Sequence, residues 1–539
     1  MNRYATILAI VSAAGIPLVA AANTFTGAGN WSDAGRWSGG VPGDGDDVII
    51  DGLATQDVSS ASLSSYTLNA GATNVFAGTN TFLTATNVVV SGFLTHLVNT
   101  DSNGAIGVYA DWIPDNFVRI VCTNLLVAGG GQVNVDGKGY LGGFQSNPPP
   151  AAARGNGPGG GPHTGSSSSQ GAGYGGAGGQ GRDGPGGVTY GSATAPLDPG
   201  SGGGGGYNGA GGAGGGVILI AAAGAVTNNG VLSANGATSG ADHGGGGSGG
   251  AIYLTCRTFE GTGLVSAVGG TLGFNSDPAS GGGGGRLALY YDSSAQSALP
   301  RPTVLFQAGG GAGGYSPKAA PGTLYLTDSS LFPDTLTACF RNVNVYGAVS
   351  WHPDYLTVSN AIVRFEEPDF DLSVTNRLTV QGVSGEFRFA STNLVFDCRD
   401  LTLSNGTLGI TMKQFNYDRD TLLVSSGRFD LAASLANCGT NLLLTNGAVF
   451  HVYAGVTNAS TPDYGALVRV TNSIVVTSNC WIYPHSDITN GGSVLFRARD
   501  FLMNATNSGV NAVGLGYRGG LVYGQRGQGP GPGRSRADD

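Results

Sequence analysis

The sequence predicts an all-β fold, a parallel β-helix (a solenoid of short strands) carrying glycine-rich loop insertions. Three observations point there. A motif of a polar pair, an alternating apolar run and a Gly or Asn turn recurs, as in "TNLLLTNGAVFHV" (440–452), "TNVVVSGFLT" (86–95), "TNLLVAGGGQVNVDG" (123–137), "TNRLTVQGVSGEFRF" (375–389), "RDLTLSNGTLGI" (399–410) and "RDTLLVSSGRFDL" (419–431). The turn glycines Gly382, Gly406, Gly427 and Gly447 are 24, 21 and 20 residues apart, and a period near twenty is the mark of a solenoid. Within each unit apolar residues alternate with period two, Val, Leu, Ile, Phe and Thr dominate, and no amphipathic 3.6 period appears, so the units are strands. A leucine-rich repeat would need a helical turn per unit, which these short runs do not provide.

The elements follow in chain order. Arg3 precedes an apolar run from Ala5 to Val19, and Ala20 and Ala22 form an A-x-A cleavage site, so residues 1–22 are expected to be an export signal, with the mature chain starting at Asn23. A buried first helix or a membrane anchor is the alternative. No later stretch approaches the ~20 apolar residues of a transmembrane helix. Residues 23–143 should open the coil. Residues 144–216 contain "QSNPPPAAARGNGPGGGPHTGSSSSQ", where almost no side chain can be buried; that composition favours a poorly ordered insertion over one packed glycine on glycine against the coil.

Residues 217–330 repeat the order of glycine run, apolar strand, turn and strand. Val217 to Ala251 is 34 residues and Ala251 to Arg286 is 35, so each unit should carry a glycine excursion. Residues 331–513 hold the regular units of about 20–24 residues. In a parallel coil adjacent rungs lie ~4.8 Å apart. Leu401, Leu403, Leu422, Val424, Leu442 and Leu444 should then stack inward, with Asn405 and Asn446 part of a corner ladder. Finally "VNVDGKGYLGG" (133–143) returns as "VNAVGLGYRGG" (510–520), with seven of eleven positions identical. Residues 514–539 are therefore expected to start a second glycine-rich module that a longer parent protein would continue; a natural tail is the competing account.

Composition narrows the function. Of 539 residues 98 are Gly and only 11% are charged, with a net charge of −9 and three lysines. No basic stripe exists to neutralise phosphates, which excludes nucleic acid as the expected partner. Six cysteines, Cys122, Cys256, Cys339, Cys398, Cys438 and Cys480, show neither CxxC nor zinc spacing. Cys398 and Cys438 sit at similar phases two turns apart, roughly 9–10 Å from the rung spacing, too far for a disulfide. Buried free thiols are expected there.

"NWSDAGRWSGGVPGDGDDVIIDG" (30–52), "GGGSGGAIYL" and "GGGGGRLALYY" resemble segments of large secreted bacterial surface proteins, pectin-lyase-like in shape and similar to adhesins and autotransporter passengers. The resemblance implies a right-handed β-helix at the cell surface. It covers most of the mature chain in pattern, but its motifs are structural and specify no activity. The C-terminal membrane barrel of classical autotransporters has no counterpart in this sequence.

Several side chains are candidates for chemistry. Asp44, Asp46, Asp47 and Asp51 in "PGDGDDVIID" could hold Ca²⁺ through oxygen ligands, although the spacing fails the EF-hand template and Asp beside Gly is ordinary turn chemistry. Glu366, Glu367, Asp369 and Asp371 in "RFEEPDFDLS" bring the paired carboxylates that glycosidic cleavage requires. Arg364 and Arg377 flank them, while Pro368 marks a turn where solvated carboxylates are equally ordinary. The six histidines make no Ser-His-Asp or HExxH pattern, and the glycine tracts lack the Lys and Ser/Thr of a phosphate loop. Tyr140, Tyr174, Tyr190, Tyr207, Tyr290, Tyr291 and Tyr517 lie in or beside glycine blocks, where rings either stack on sugars or anchor loops. The expected role is a noncatalytic structural or adhesive surface protein contacting extracellular glycans or cell-surface partners. The alternative is a polysaccharide lyase or glycoside hydrolase.

Overall fold

The computed structural model describes residues 21–104, 109–144, 154–163, 169–182, 184–206, 209–273, 279–314, 317–333, 335–336, 340–383, 385–457, 463–503 and 505–518, together with Gln528. Residues 1–20 of the expected export signal, Tyr207, Cys339, and residues 519–527 and 529–539 of the C-terminal glycine module lie outside them. The protein is all-β. Its strands form long parallel sheets of 28 and 8 strands with a small two-stranded sheet beside them, an arrangement compatible with a solenoid. The one α-helix among the described residues is the short Ser293–Ser297.

Pairing follows the repeats. In the eight-stranded sheet Leu378 lies against Leu401, Leu403 against Val424, Leu422 against Leu442 and Leu442 against Ile474. All six expected core residues of this column are buried, at 3% exposure or less. The glycine-rich units align as their spacing predicts, Ala251 pairing with Val217 on one side and Arg286 on the other.

Each unit of the C-terminal half runs as a strand of the smaller sheet, a corner, and a strand of the large one, such as Leu401–Ser404 followed by Thr407–Tyr417. Corners at Asn405, Ser426 and Asn446 adopt φ of 55°, 53° and 56°, the left-handed region asparagine tolerates. The corner ladder is therefore interrupted by Ser426; Asn446 donates to Ser425 Oγ rather than to Asn405.

The core is one continuous apolar column. At its N-terminal end Phe25, Trp31 and Trp37 close it edge to face, with Trp37 Nε1 donating to Trp31 O at 2.7 Å. Buried phenylalanines fill the later rungs, for example Phe429 stacked on Phe450. Cys122, Cys438 and Cys480 are free and buried, and Cys256 is free and half-buried. Burial raises the Cys122 and Cys438 thiols to about 12. Cys398 lies in register with Tyr417, a rung short of Cys438, so the expected two-rung separation holds for the backbone.

The glycine-rich region is packed rather than poorly ordered in the residues described, with 145–153, 164–168, 183 and 207–208 of the insertion outside them. Its described segments form a bundle of extended chains laid against the sheets, with a period of three in their hydrogen bonds. Gly245 and Ser248 donate to Gly204 and Ser201, Gly246 and Gly249 to Ser280 and Gly283, and Gly247 and Gly250 to Ala237 and Ala234. One strand thus serves three neighbours in rotation, as a three-residue-per-turn extended helix with no internal hydrogen bonds can. Side chains have no room: a Cβ on Gly247 would lie 2.0 Å from Ala213 O, and one on Gly249 2.1 Å from Ala267 O. Low apolar content fails as a sign of disorder here because backbone hydrogen bonds and close chain contact replace side-chain burial.

Candidate functional site

Outward-facing residues of the long strands build the most developed surface feature. On four rungs the inward–outward–inward triplets "FRF", "LGI", "FDL" and "FHV" put Arg388, Gly409, Asp430 and His451 in one column, as the parallel registers Arg388–Gly409, Gly409–Asp430 and Asp430–His451 record. The next outward column is Ala390, Thr411, Ala432 and Tyr453. Three small residues between larger neighbours leave a trough of about 250 Å³, lined also by Arg364 and Glu366. Through Thr411, Ala432 and Tyr453 it continues into a wider hollow of about 930 Å³ that Lys413 and Arg469 border.

One wall is a charge ladder. Arg364 bonds Glu386 at 2.8 Å, Glu386 bonds Arg388 at 2.7 Å, and Asp430 accepts from Arg388 at 2.9 Å and from Arg428 at 2.7 Å. Arg388 reaches Asp430 two rungs away only because Gly409 stands between them; a Cβ there would meet Arg388 Cγ at 2.8 Å. The two arginines hold the Glu386 carboxyl below its usual range against the opposing effect of burial. Glu386 reciprocally raises Arg388, although burial alone would lower it.

At the C-terminal end of the trough four rings tile two rungs. His451 stacks on Tyr483 at 4.7 Å and 11°, and Tyr453 on His485 at 4.3 Å and 17°. His451 Nδ1 meets His485 Nε2 at 2.8 Å. Burial lowers His451 to about 4 and lowers His485 as well.

The acidic residues singled out by sequence are dispersed. Of Glu366, Glu367, Asp369 and Asp371, only Glu366 lines the trough. Glu367 accepts from Gly347 N–H, Asp371 faces His352 Nε2 at 3.1 Å, and Asp369 sits in an antiparallel bridge to Ser391. Arg377 pairs away with Asp400. The N-terminal aspartates behave as turn and ladder residues: Asp44 accepts from Ser62 N–H, Asp46 from Gly43 N–H, Asp47 from Ser65 Oγ and Asp51 from Asn69 Nδ2. Among the described residues no three His, Cys, Asp or Glu side chains gather in a cluster able to hold a metal ion.

The tyrosines divide. Tyr140, Tyr174 and Tyr291 are buried: Tyr140 and Tyr174 sit within the glycine bundle, the anchoring alternative, while Tyr291 belongs to the main core and its hydroxyl donates to Asp328. Arg286 joins the bundle to the sheet, donating to Tyr190 O and Tyr174 O with its guanidinium over the Tyr174 ring. Tyr290 remains half-buried on an outer face, stacked on Tyr325 at 4.7 Å with Tyr253 edge-on. Tyr517 is exposed. Rings stacked along parallel rungs cover one another's faces and present their polar edges outward.

Sequence reading missed Arg388, Gly409, Asp430, His451 and Tyr453. Their signal lay in the repeats: aligned on the turn glycines, the outward position of each closing triplet gives the column. No known protein family, no curated protein and no solved structure matches this chain. No helix among the described residues is long and apolar enough to cross a membrane.

Proposed function

We propose that this chain is an exported right-handed parallel β-helix of the cell surface or extracellular space, with a noncatalytic structural or adhesive role, and that it contacts glycans through the trough over Ala390, Thr411 and Ala432. The observation that carries the reading is the trough itself. Small outward residues on three successive rungs are flanked by arginines, carboxylates and phenol and imidazole edges, which together offer hydrogen bonds along an extended chain. Rung spacing of ~4.8 Å suits a repeating pyranose polymer laid across the rungs. Two observations favour binding over turnover. The Glu386 and Asp430 carboxylates are consumed in ion pairs, and of the four acidic candidates only Glu366 lines the trough, whereas glycosidic hydrolysis needs two carboxyl groups across the bond.

Glycan-array binding and affinity electrophoresis test this directly. The wild type is expected to retain a subset of extracellular polysaccharides, and Thr411→Trp, which fills the trough from an exposed position, is expected to weaken retention at least about tenfold, or ~1.4 kcal/mol. Equal retention by both proteins would defeat the site. Polysaccharide lyase or hydrolase activity is the second reading, favoured by Glu366 beside Arg364 in the trough wall. Release of reducing ends or unsaturated products that disappears in Glu366→Ala would establish it instead.

A further inference from the structure

The wider hollow beyond Tyr453 differs in charge from the trough it continues. In the trough Arg388 and Arg428 are spent on Glu386 and Asp430. In the hollow Lys413 and Arg469 stand among Tyr453, Tyr464 and aliphatic side chains, and no carboxylate lines it among the described residues. Leu435 and Leu467, in register on adjacent rungs, supply an apolar floor. Arg469 is in turn in register with Arg497 on the next rung, so two guanidinium groups leave the sheet from one column. All three cations are exposed, and none belongs to an ion pair among the described residues; the pairs around them in sequence are Arg428 with Asp430 and Arg499 with Asp500. Like charges at facing positions of neighbouring strands repel. Three unpaired cations in one place also stand out in a chain of net charge −9 with only three lysines. An anion held among them relieves the repulsion.

We propose that this hollow is an anion subsite, through which the glycan surface selects an acidic polysaccharide, one bearing carboxylate or sulfate groups, over a neutral one. The inference rests on the glycan reading above and names the class of polymer. A sugar ring lies with its C–H face on Leu435 and Leu467, beside Tyr453 and Tyr464, while Lys413 and Arg469 take its anionic substituent. Arginine presents a planar fork that matches two oxygens of such a group, and lysine adds a point charge. Arg497 meets the substituent of the next sugar along the rungs. The volume of about 930 Å³ falls within the ~300–1,000 Å³ of small-ligand sites, which admits a sugar residue with its substituent.

The test is affinity electrophoresis of the full chain in matched gels, alginate against carboxyl-reduced alginate and carrageenan against desulfated carrageenan. Wild type is compared with Lys413→Ala/Arg469→Ala, Arg497→Ala, Thr411→Trp and Arg499→Ala, the last removing a cation that does not line the hollow. Circular dichroism checks that each is folded. Wild type is expected to be retained at least about tenfold more strongly by one or both anionic polymers than by the neutral counterpart, the worth of one charge-assisted hydrogen bond. The double variant should lose that margin, Arg497→Ala should lose part of it, and Arg499→Ala should stay within about twofold of wild type. Which anionic gel retains the protein tells carboxylate from sulfate. Equal retention by charged and neutral polymers, retention by none of the four, a double variant that keeps the wild-type margin, or an equal loss in Arg499→Ala would overturn the subsite. Thr411→Trp judges the glycan reading separately: a neutral polymer retained by wild type and released by that variant keeps the trough even where the charge preference fails.

Discussion

At the scale of single residues, Gly409 shows how an absent side chain organises charged ones. Its missing Cβ lets Arg388 lie across the rung to Asp430, which is only 5% exposed. Gly409→Ala should displace that guanidinium and cost about 1–2 kcal/mol by chemical denaturation, within the range for disturbing a partly buried network. The same substitution in an Arg388→Ala background should cost much less, and a double-mutant cycle reads the difference. His96 is the second residue-scale case. Fully buried, its Nε2 accepts from Val217 N–H while Nδ1 donates to Leu97 O, and burial lowers it from 6.5 to about 4. Because the unfolded chain takes up the proton first, the contribution is complete above about pH 6.5 and is lost as pH falls toward 4, amounting to roughly 3 kcal/mol at most. Denaturant midpoints measured across that window should fall more steeply for wild type than for His96→Gln.

Among elements, strands and glycine helices solve the same backbone problem differently. A β-strand pairs its amides with two neighbours and buries alternate side chains, so its core is visible as a period of two. The glycine segments pair with three neighbours in turn and bury backbone, so their period of three is invisible in a run of identical residues. Gly247→Ala should therefore act as overpacking, destabilising its surroundings by about 1–3 kcal/mol. The damage is expected to be local. Hydrogen exchange should speed in residues 169–182 and 199–216 while the strands Leu422 to Leu444 keep their protection; uniform loss across the chain would contradict a separately cooperative bundle. The same contrast explains what was legible. The leucine columns, the 34- and 35-residue registers and the free thiol of Cys438 followed from spacing, whereas order in the described glycine tracts depended on contacts between segments far apart in sequence.

For the whole molecule, the last strands to pair among the described residues are Asp500–Leu502 and Gly509–Val510. Leu502 and Val510 are exposed at 47% and 41%, on the last strands to pair, and Phe501 lies beside them at 36%. Exposed apolar side chains on these strands favour association with another chain, so sedimentation velocity should show concentration-dependent self-association that Leu502→Lys reduces. Equal association in both proteins would place the contact elsewhere. The sequence by itself determined the class of fold and the inward columns, because apolar alternation and turn residues are local properties that repeat. It also held the outward column in its closing triplets, although nothing in any one triplet distinguishes Arg388, Gly409, Asp430 and His451 from solvent-facing variety. Only the tertiary structure decided that they share a wall, that the acidic runs scatter, and that two histidines 34 residues apart meet. The physical reason is register: function on this surface arises between rungs, and which residues become neighbours depends on the length of every turn and insertion that separates them.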